Sequence, residues 1–132
     1  MHAITTRLNT ITTRFQAEEG FTLIELLVVI IIIGILLTIA IPSYLKFKDR
    51  ANAAAAQSNV RAAIPGMEAY NADHGGYTSA TSAILRASYD GGIKHMRVKT
   101  ASATTYCIDS TVGTSVYMKN GPSADIVAGT CP

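Results

Sequence analysis

The stretch Gly20–Ile41 reads GFTLIELLVVIIIIGILLTIAI and is apolar throughout, except for Thr22, Thr38 and a single carboxylate, Glu25. As a helix, the 21 residues from Phe21 to Ile41 would extend roughly 31 Å, about one bilayer hydrocarbon core. A transmembrane helix is therefore expected over 21–42. An acid at the centre of such a helix costs about 2.5–3.5 kcal/mol on insertion scales. Glu25 lies one turn from the start, near the headgroups, where the cost is smaller. It is either a charge resting at the interface or a group kept for a partner.

Upstream, residues 1–19 are mostly polar, hold Arg7 and Arg14, and end in Glu18-Glu19 ahead of Gly20. They contain no apolar run and read as a leader rather than a packed element. An ordinary secretory signal would be cut beyond its apolar region, for which Thr38-Ile39-Ala40 is a passable site. Against that, the run is longer than the usual 7 to 15 or so residues and is interrupted by Glu25. A plain uncleaved anchor is the other alternative. Lys46, Lys48 and Arg50 closely follow the span, so counting basic residues does not by itself place the leader in the cytoplasm.

Downstream, Gly34 and Pro42 weaken the helix, because glycine costs about 1 kcal/mol relative to alanine and proline removes the bond to the Thr38 carbonyl. Beyond Pro42, Ala53, Ala56, Val60, Ile64, Met67 and Tyr70 recur at spacings of three and four, an apolar stripe that needs a sheet to cover it. Pro65-Gly66 predicts a kink, with the helix continuing to about Asp73. The cluster Asn71–Gly76 ends it, and Ser79 would cap a short helix to about Ser88. From Ile93 the period falls toward two. Strands are expected at 93–100, 104–110, 115–119 and 124–127, separated by turns at 90–92, 111–113 and 120–122. The fold class is α+β: a long kinked N-terminal helix on a small antiparallel sheet.

A glycine followed by Phe-Thr-Leu-Ile-Glu-Leu-Leu-Val-Val at the head of a long apolar segment resembles the processing site and N-terminal helix of type IV prepilins and the related pseudopilins. Tyr70, Asn71–Gly76 and Tyr77 are similar to a tyrosine-flanked turn of the same family, with Thr78 departing from a frequent proline. The resemblance implies a cytoplasmic leader, 1–20, removed after Gly20 by a membrane aspartyl peptidase that also N-methylates Phe21. It implies that Glu25 serves assembly by pairing with the terminal amine of a neighbour, and that the Gly34–Pro42 segment can extend in a filament. Residues 43–132 would be exported: helix to about 73, a connection over 74–92, sheet over 93–128 and a tail to 132. The last third has no such resemblance to lean on.

Cys107 and Cys131 lie on the same side of the span. Two free thiols would suit a cytosolic chain; behind a membrane anchor, in an oxidising space, a disulfide is expected. Closing a loop of about 25 residues would stabilise by roughly 3.5 kcal/mol in the chain-entropy account.

At 132 residues and net charge +2, one domain and one span fit, and a two-domain enzyme does not. Nothing points to nucleic acid, a DNA-uptake pilus aside. His74 and His95 have no ligand partner at useful spacing, and no phosphate loop or catalytic constellation is present, so no cofactor, metal or enzymatic activity is expected. Asp109 and Asp125 could in principle hold calcium, as in secretion pseudopilins, but are read as solvated surface. The reading is a pilus subunit that first sits single-pass in the cytoplasmic membrane and then in an extracellular fibre. Its partners would be copies of itself, the prepilin peptidase, minor pilins and an assembly platform. The alternatives are a pseudopilin of type II secretion or DNA uptake, and a membrane-tethered binding domain.

Overall fold

The computed structural model describes residues 20–132. The expected leader lies outside them apart from Gly20. The chain divides into two units at Ile41/Pro42, and the helix α1, Leu23–His74, contributes to both.

In the first unit every side chain from Phe21 to Ile41 is exposed within the subunit, including all its leucines, isoleucines and valines. The helix is long and apolar enough to cross a membrane. It stays helical through Gly34 and Pro42, so the expected weakening does not break it in the isolated subunit. Thr38 Oγ1 donates to the Ile35 carbonyl at 2.6 Å, a local bond one turn ahead of the proline.

In the second unit the rest of α1 packs on a four-stranded antiparallel meander in the order β1-β2-β3-β4. The strands are β1 Met96–Ala101, β2 Tyr106–Val112, β3 Ser115–Asn120 and β4 Ile126–Ala128, with a short helix α2, Ser82–Ser88, before them. The expected α+β arrangement is therefore present. The buried stripe of α1 is Ala56, Val60, Ala63, Gly66, Met67 and Tyr70. Ala63, not the half-buried Ile64, occupies the centre, because alternating steps of four and three keep one face toward the sheet. Met67, Tyr70, Tyr77, Leu85, Ile93, Tyr106 and Ile108 complete the core.

The helix runs through Pro65 and ends at His74, as the continuation predicted, with Gly75 (φ +68°) just beyond it. Four boundaries differ from expectation for identifiable reasons. Ser79 is not the cap: it sits at φ +68° in a turn closed by Ala80 N–H to the Tyr77 carbonyl, and Thr81 caps α2 through Ile84 N–H. β1 starts at Met96 rather than Ile93, because the Ile93 carbonyl accepts from Arg86 Nε and His95 adopts φ +55°. β2 starts and ends two residues late, so the turn falls at Gly113-Thr114 between the paired Val112 and Ser115. There Gly113 has φ +57° and lies so close to Asn52 of α1 that a Cβ would collide with its side chain. β4 is shorter and later than 124–127.

β2 is buried on both faces, Tyr106 through Ser110 without a break. Alternation sends Tyr106 and Ile108 into the core and Cys107 and Asp109 to the other face. The tail reaches that outer face at Cys107, to which Cys131 is joined by a disulfide. Asp109 is fully buried, a correction to the solvated surface expected of it: Arg97, its partner across β1–β2, donates Nε–H to Oδ1 at 2.9 Å. Glu68 of α1 accepts from the hydroxyls of Tyr77, 2.9 Å, and Tyr106, 3.4 Å. Burial, with Glu68 adding to it, raises both phenols above their ordinary value, Tyr106 by the larger amount.

Reduction of the disulfide in the full chain, in a nonionic detergent, is expected to cost roughly 3.5 kcal/mol of stability, a fall in Tm of more than 10 °C. Circular-dichroism melts with and without reductant measure it. An unchanged Tm would mean that packing alone holds the tail.

Candidate functional site

The residues singled out near the N-terminus converge on the start of α1. Thr22 precedes the first helical residue, Leu23, and its carbonyl accepts from Leu26 N–H at 3.2 Å, which makes Thr22 the N-cap and Glu25 the third helical residue. The two side chains cap each other's backbone. Thr22 Oγ1 accepts from Glu25 N–H at 3.2 Å, and Glu25 Oε2 accepts from Thr22 N–H at 3.4 Å and Thr22 Oγ1–H at 3.3 Å. This is a reciprocal capping box, and it satisfies donors that an apolar surrounding could not. The helix dipole adds to it, since a carboxylate in the first turn faces the positive end. Threonine three residues before a glutamate, at the head of an apolar run, was the signal for it in the sequence.

The box explains how a carboxylate is tolerated here and what it leaves available. Both reciprocal bonds use Oε2, so Oε1 remains to accept from a further donor. Phe21 is 83% exposed, four positions from Glu25.

Gly20 and Gly34 lack any reason within the described residues to be glycine. A Cβ at either would meet nothing within 4 Å, and neither has a positive φ. The cost of glycine in a helix at Gly34, about 1 kcal/mol, brings no closer packing inside the subunit. The other predicted site residues lie in the second unit and do not join this group: Cys107 and Cys131 bridge β2 to the tail. Asp109 and Asp125 do not converge. Asp109 is held by Arg97 on the outer face of the sheet, whereas Asp125 borders a cleft on the helix side with Gln57, Arg61 and Lys119. Lys119, which sequence reasoning passed over, is buried and donates from Nζ to the Ala124 carbonyl. No periodicity marks a lysine on the inner face of a strand.

Thr22→Val is expected to cost about 1 kcal/mol at the helix start. Amide exchange of Ile24–Leu26 in micelles would accelerate about fivefold, and Thr22→Ser would restore protection. Equal exchange in all three proteins would show that the box contributes nothing.

Comparison with known proteins adds the family. The model described as the prokaryotic N-terminal methylation motif matches residues 16–41. The chain is 36% identical over 92 residues to the type IV wide pilus major component PilA4 of Thermus thermophilus, covering 68% of this chain and 70% of that one. It is 36% identical over 85 residues to the type IV major pilin protein PilA of Myxococcus xanthus, 64% of this chain and 39% of that one. To the type II secretion system core protein G of Pseudomonas aeruginosa it is 33% identical over 64 residues, 48% of this chain and 45% of that one. The matches thus span less than half the length of the latter two relatives. With a motif match across the capped helix start and a pilus component aligned over two thirds of both chains, on an α+β subunit with an unpartnered apolar helix, this chain belongs to the type IV pilin family.

Proposed function

We propose that the chain is a structural subunit of a type IV pilus, cleaved after Gly20, N-methylated on Phe21 and polymerised through its N-terminal helix, with Glu25 accepting the amine of a neighbouring copy. The observation that carries this reading is the helix of the first unit. Its apolar side chains are exposed on every face, so it needs a solvent of its own kind, first lipid and then the same helix of other subunits. A carboxylate with one oxygen uncommitted, beside an exposed N-terminal boundary, supplies the polar pairing that such a bundle otherwise lacks.

Processing follows from the same site. Gly20 is exposed and has no steric reason among the described residues to be glycine; on this reading its identity answers to another molecule, the peptidase, whose active site must accept the backbone closely. The precursor is a single-pass protein of the cytoplasmic membrane with residues 43–132 exported, which accounts for a disulfide between the cysteines. Gly34 and Pro42, helical in the single subunit, are where the helix can extend when subunits stack. Minor pilins and an assembly platform complete the set of partners.

The second reading, a secretion pseudopilin, is favoured by the likeness to core protein G. One feature weighs toward the pilus: the similarity to the Thermus pilus component reaches further along the chain.

Sheared surface fibres should contain this chain starting at N-methylated Phe21, read by mass spectrometry. Glu25→Ala is expected to insert and be cleaved normally while lowering fibre yield at least tenfold, and Gly20→Leu to remain uncleaved. A chain starting at Met1, or normal fibres from Glu25→Ala, would overturn the reading.

A further inference from the structure

We propose that the cleft between α1 and the β3–β4 connection is a binding site for a monocarboxylate group. The cleft measures about 390 Å³ and is lined by Gln57, Arg61, Ile64, Lys119, Asp125 and Ile126, among others. It lies wholly within the second unit and shares no residue with the processing and assembly site.

Lys119 is the reason to expect a ligand. Its position on β3, paired with Ile108 and Ile126, puts it on the inner face of the sheet, and it is only 6% exposed. A buried ammonium is costly unless its charge and its three donors are met. One donor goes to the Ala124 carbonyl. A carbonyl satisfies a hydrogen bond but does not neutralise a charge, and among the described residues no carboxylate lies within 4.0 Å of Lys119 or Arg61. Arg61 stands one turn from Gln57 on α1, and Ile64 follows at the next step of three, so all three share a side of the helix. Two cations and the one acid, Asp125, give the cleft a net charge of about +1, which matches a monoanion better than a dianion. A planar carboxylate suits the arginine fork, with the ammonium donating to it as well. Ile64 and Ile126 offer an apolar wall to a short methylene stem.

That chemistry has two sources: a free small carboxylate, and an aspartate or glutamate side chain of a second copy. Either is held by the same groups, and the experiment separates them. The full chain in nonionic detergent is melted in increasing sodium propionate against sodium chloride of equal ionic strength. Propionate at ten times its dissociation constant should shift the folding equilibrium about elevenfold and raise Tm by roughly 6 °C. Arg61→Gln, at an exposed position with no hydrogen bond to another described residue, should fold normally and abolish the shift. Asp125→Asn, which removes the competing acid, should enlarge it. Inorganic phosphate should do less than propionate.

If the occupant is a neighbour's side chain, Arg61→Gln also lowers fibre yield and propionate inhibits assembly of the unaltered chain. If it is a free carboxylate, neither change affects yield and the Tm response stands alone. The proposal is overturned if propionate gives no shift beyond chloride, if the shift survives in Arg61→Gln, or if Asp125→Asn lowers Tm and leaves the cleft unresponsive, which would make Asp125 the internal counterion. None of these outcomes depends on cleavage or on Glu25, so failure here leaves the pilus reading intact.

Discussion

The folded unit depends on one constraint: a helical stripe made largely of small residues, Ala56, Val60, Ala63 and Gly66, that widens into Met67 and Tyr70. Small side chains let a sheet approach the first turns closely, while the larger pair fills the space where the chain turns back. A Cβ on Gly66 would already stand 3.0 Å from Ile93 Cδ1. The inner residues of β2, Tyr106 and Ile108, complete this surface, and Asn59 of the helix fixes the end of the strand by donating to Ser110 Oγ at 3.1 Å. Farther along, the β2–β3 turn lies against Asn52. With the Tyr106 hydroxyl on Glu68 toward the other end of the stripe, these contacts hold the strand in register, because a slip of one residue would turn Tyr106 and Ile108 away from the helix.

A sheet with one face on a helix ordinarily leaves the other face wet. Here β2 is dry on both, with Tyr106 through Ser110 all buried. On the outer face Cys107 carries the bond to Cys131, and Asp109, two residues on, is buried as well; burial of an acid demands a cation. Arg97 meets that demand from the neighbouring strand while more than half of its side chain stays in solvent. The expectation of a solvated Asp109 fails on strand pairing, which sets the carboxylate opposite Arg97 on a buried strand.

What could be read from the sequence follows the range of the forces involved. The apolar run, the stripe and the turn cluster after Tyr70 are local patterns, and the elements they predict exist where expected. The meander was legible as alternation between turn residues, but strand ends were not. Ile93 belongs to a turn because Arg86 captures its carbonyl, and Ser79 is consumed by a turn so that Thr81 takes the cap. Such competition between neighbours for one backbone group leaves no periodic trace. The Thr22–Glu25 capping box has a local signal, a threonine three residues before a glutamate, that sequence reasoning passed over. Arg97–Asp109 and Lys119–Ala124 arise from strand pairing and loop return, which no window of sequence contains.

The first unit poses a different question, since almost nothing in it is explained by contacts inside the subunit. Gly20 and Gly34 have room for a side chain, the apolar residues touch no core, and Glu25 would be a liability were its helix simply to rest in lipid. The capping box reduces that liability by giving Oε2 two donors of its own helix, and it also holds the carboxylate in one place. A held carboxylate loses less conformational freedom on meeting a cation than a free one does. On the proposed reading, Thr22 therefore acts in both lives of the protein: it makes the acid tolerable in the membrane and keeps it aimed for the neighbour that arrives in the fibre. The features of this segment that cost the lone subunit most are those whose return comes only from another molecule.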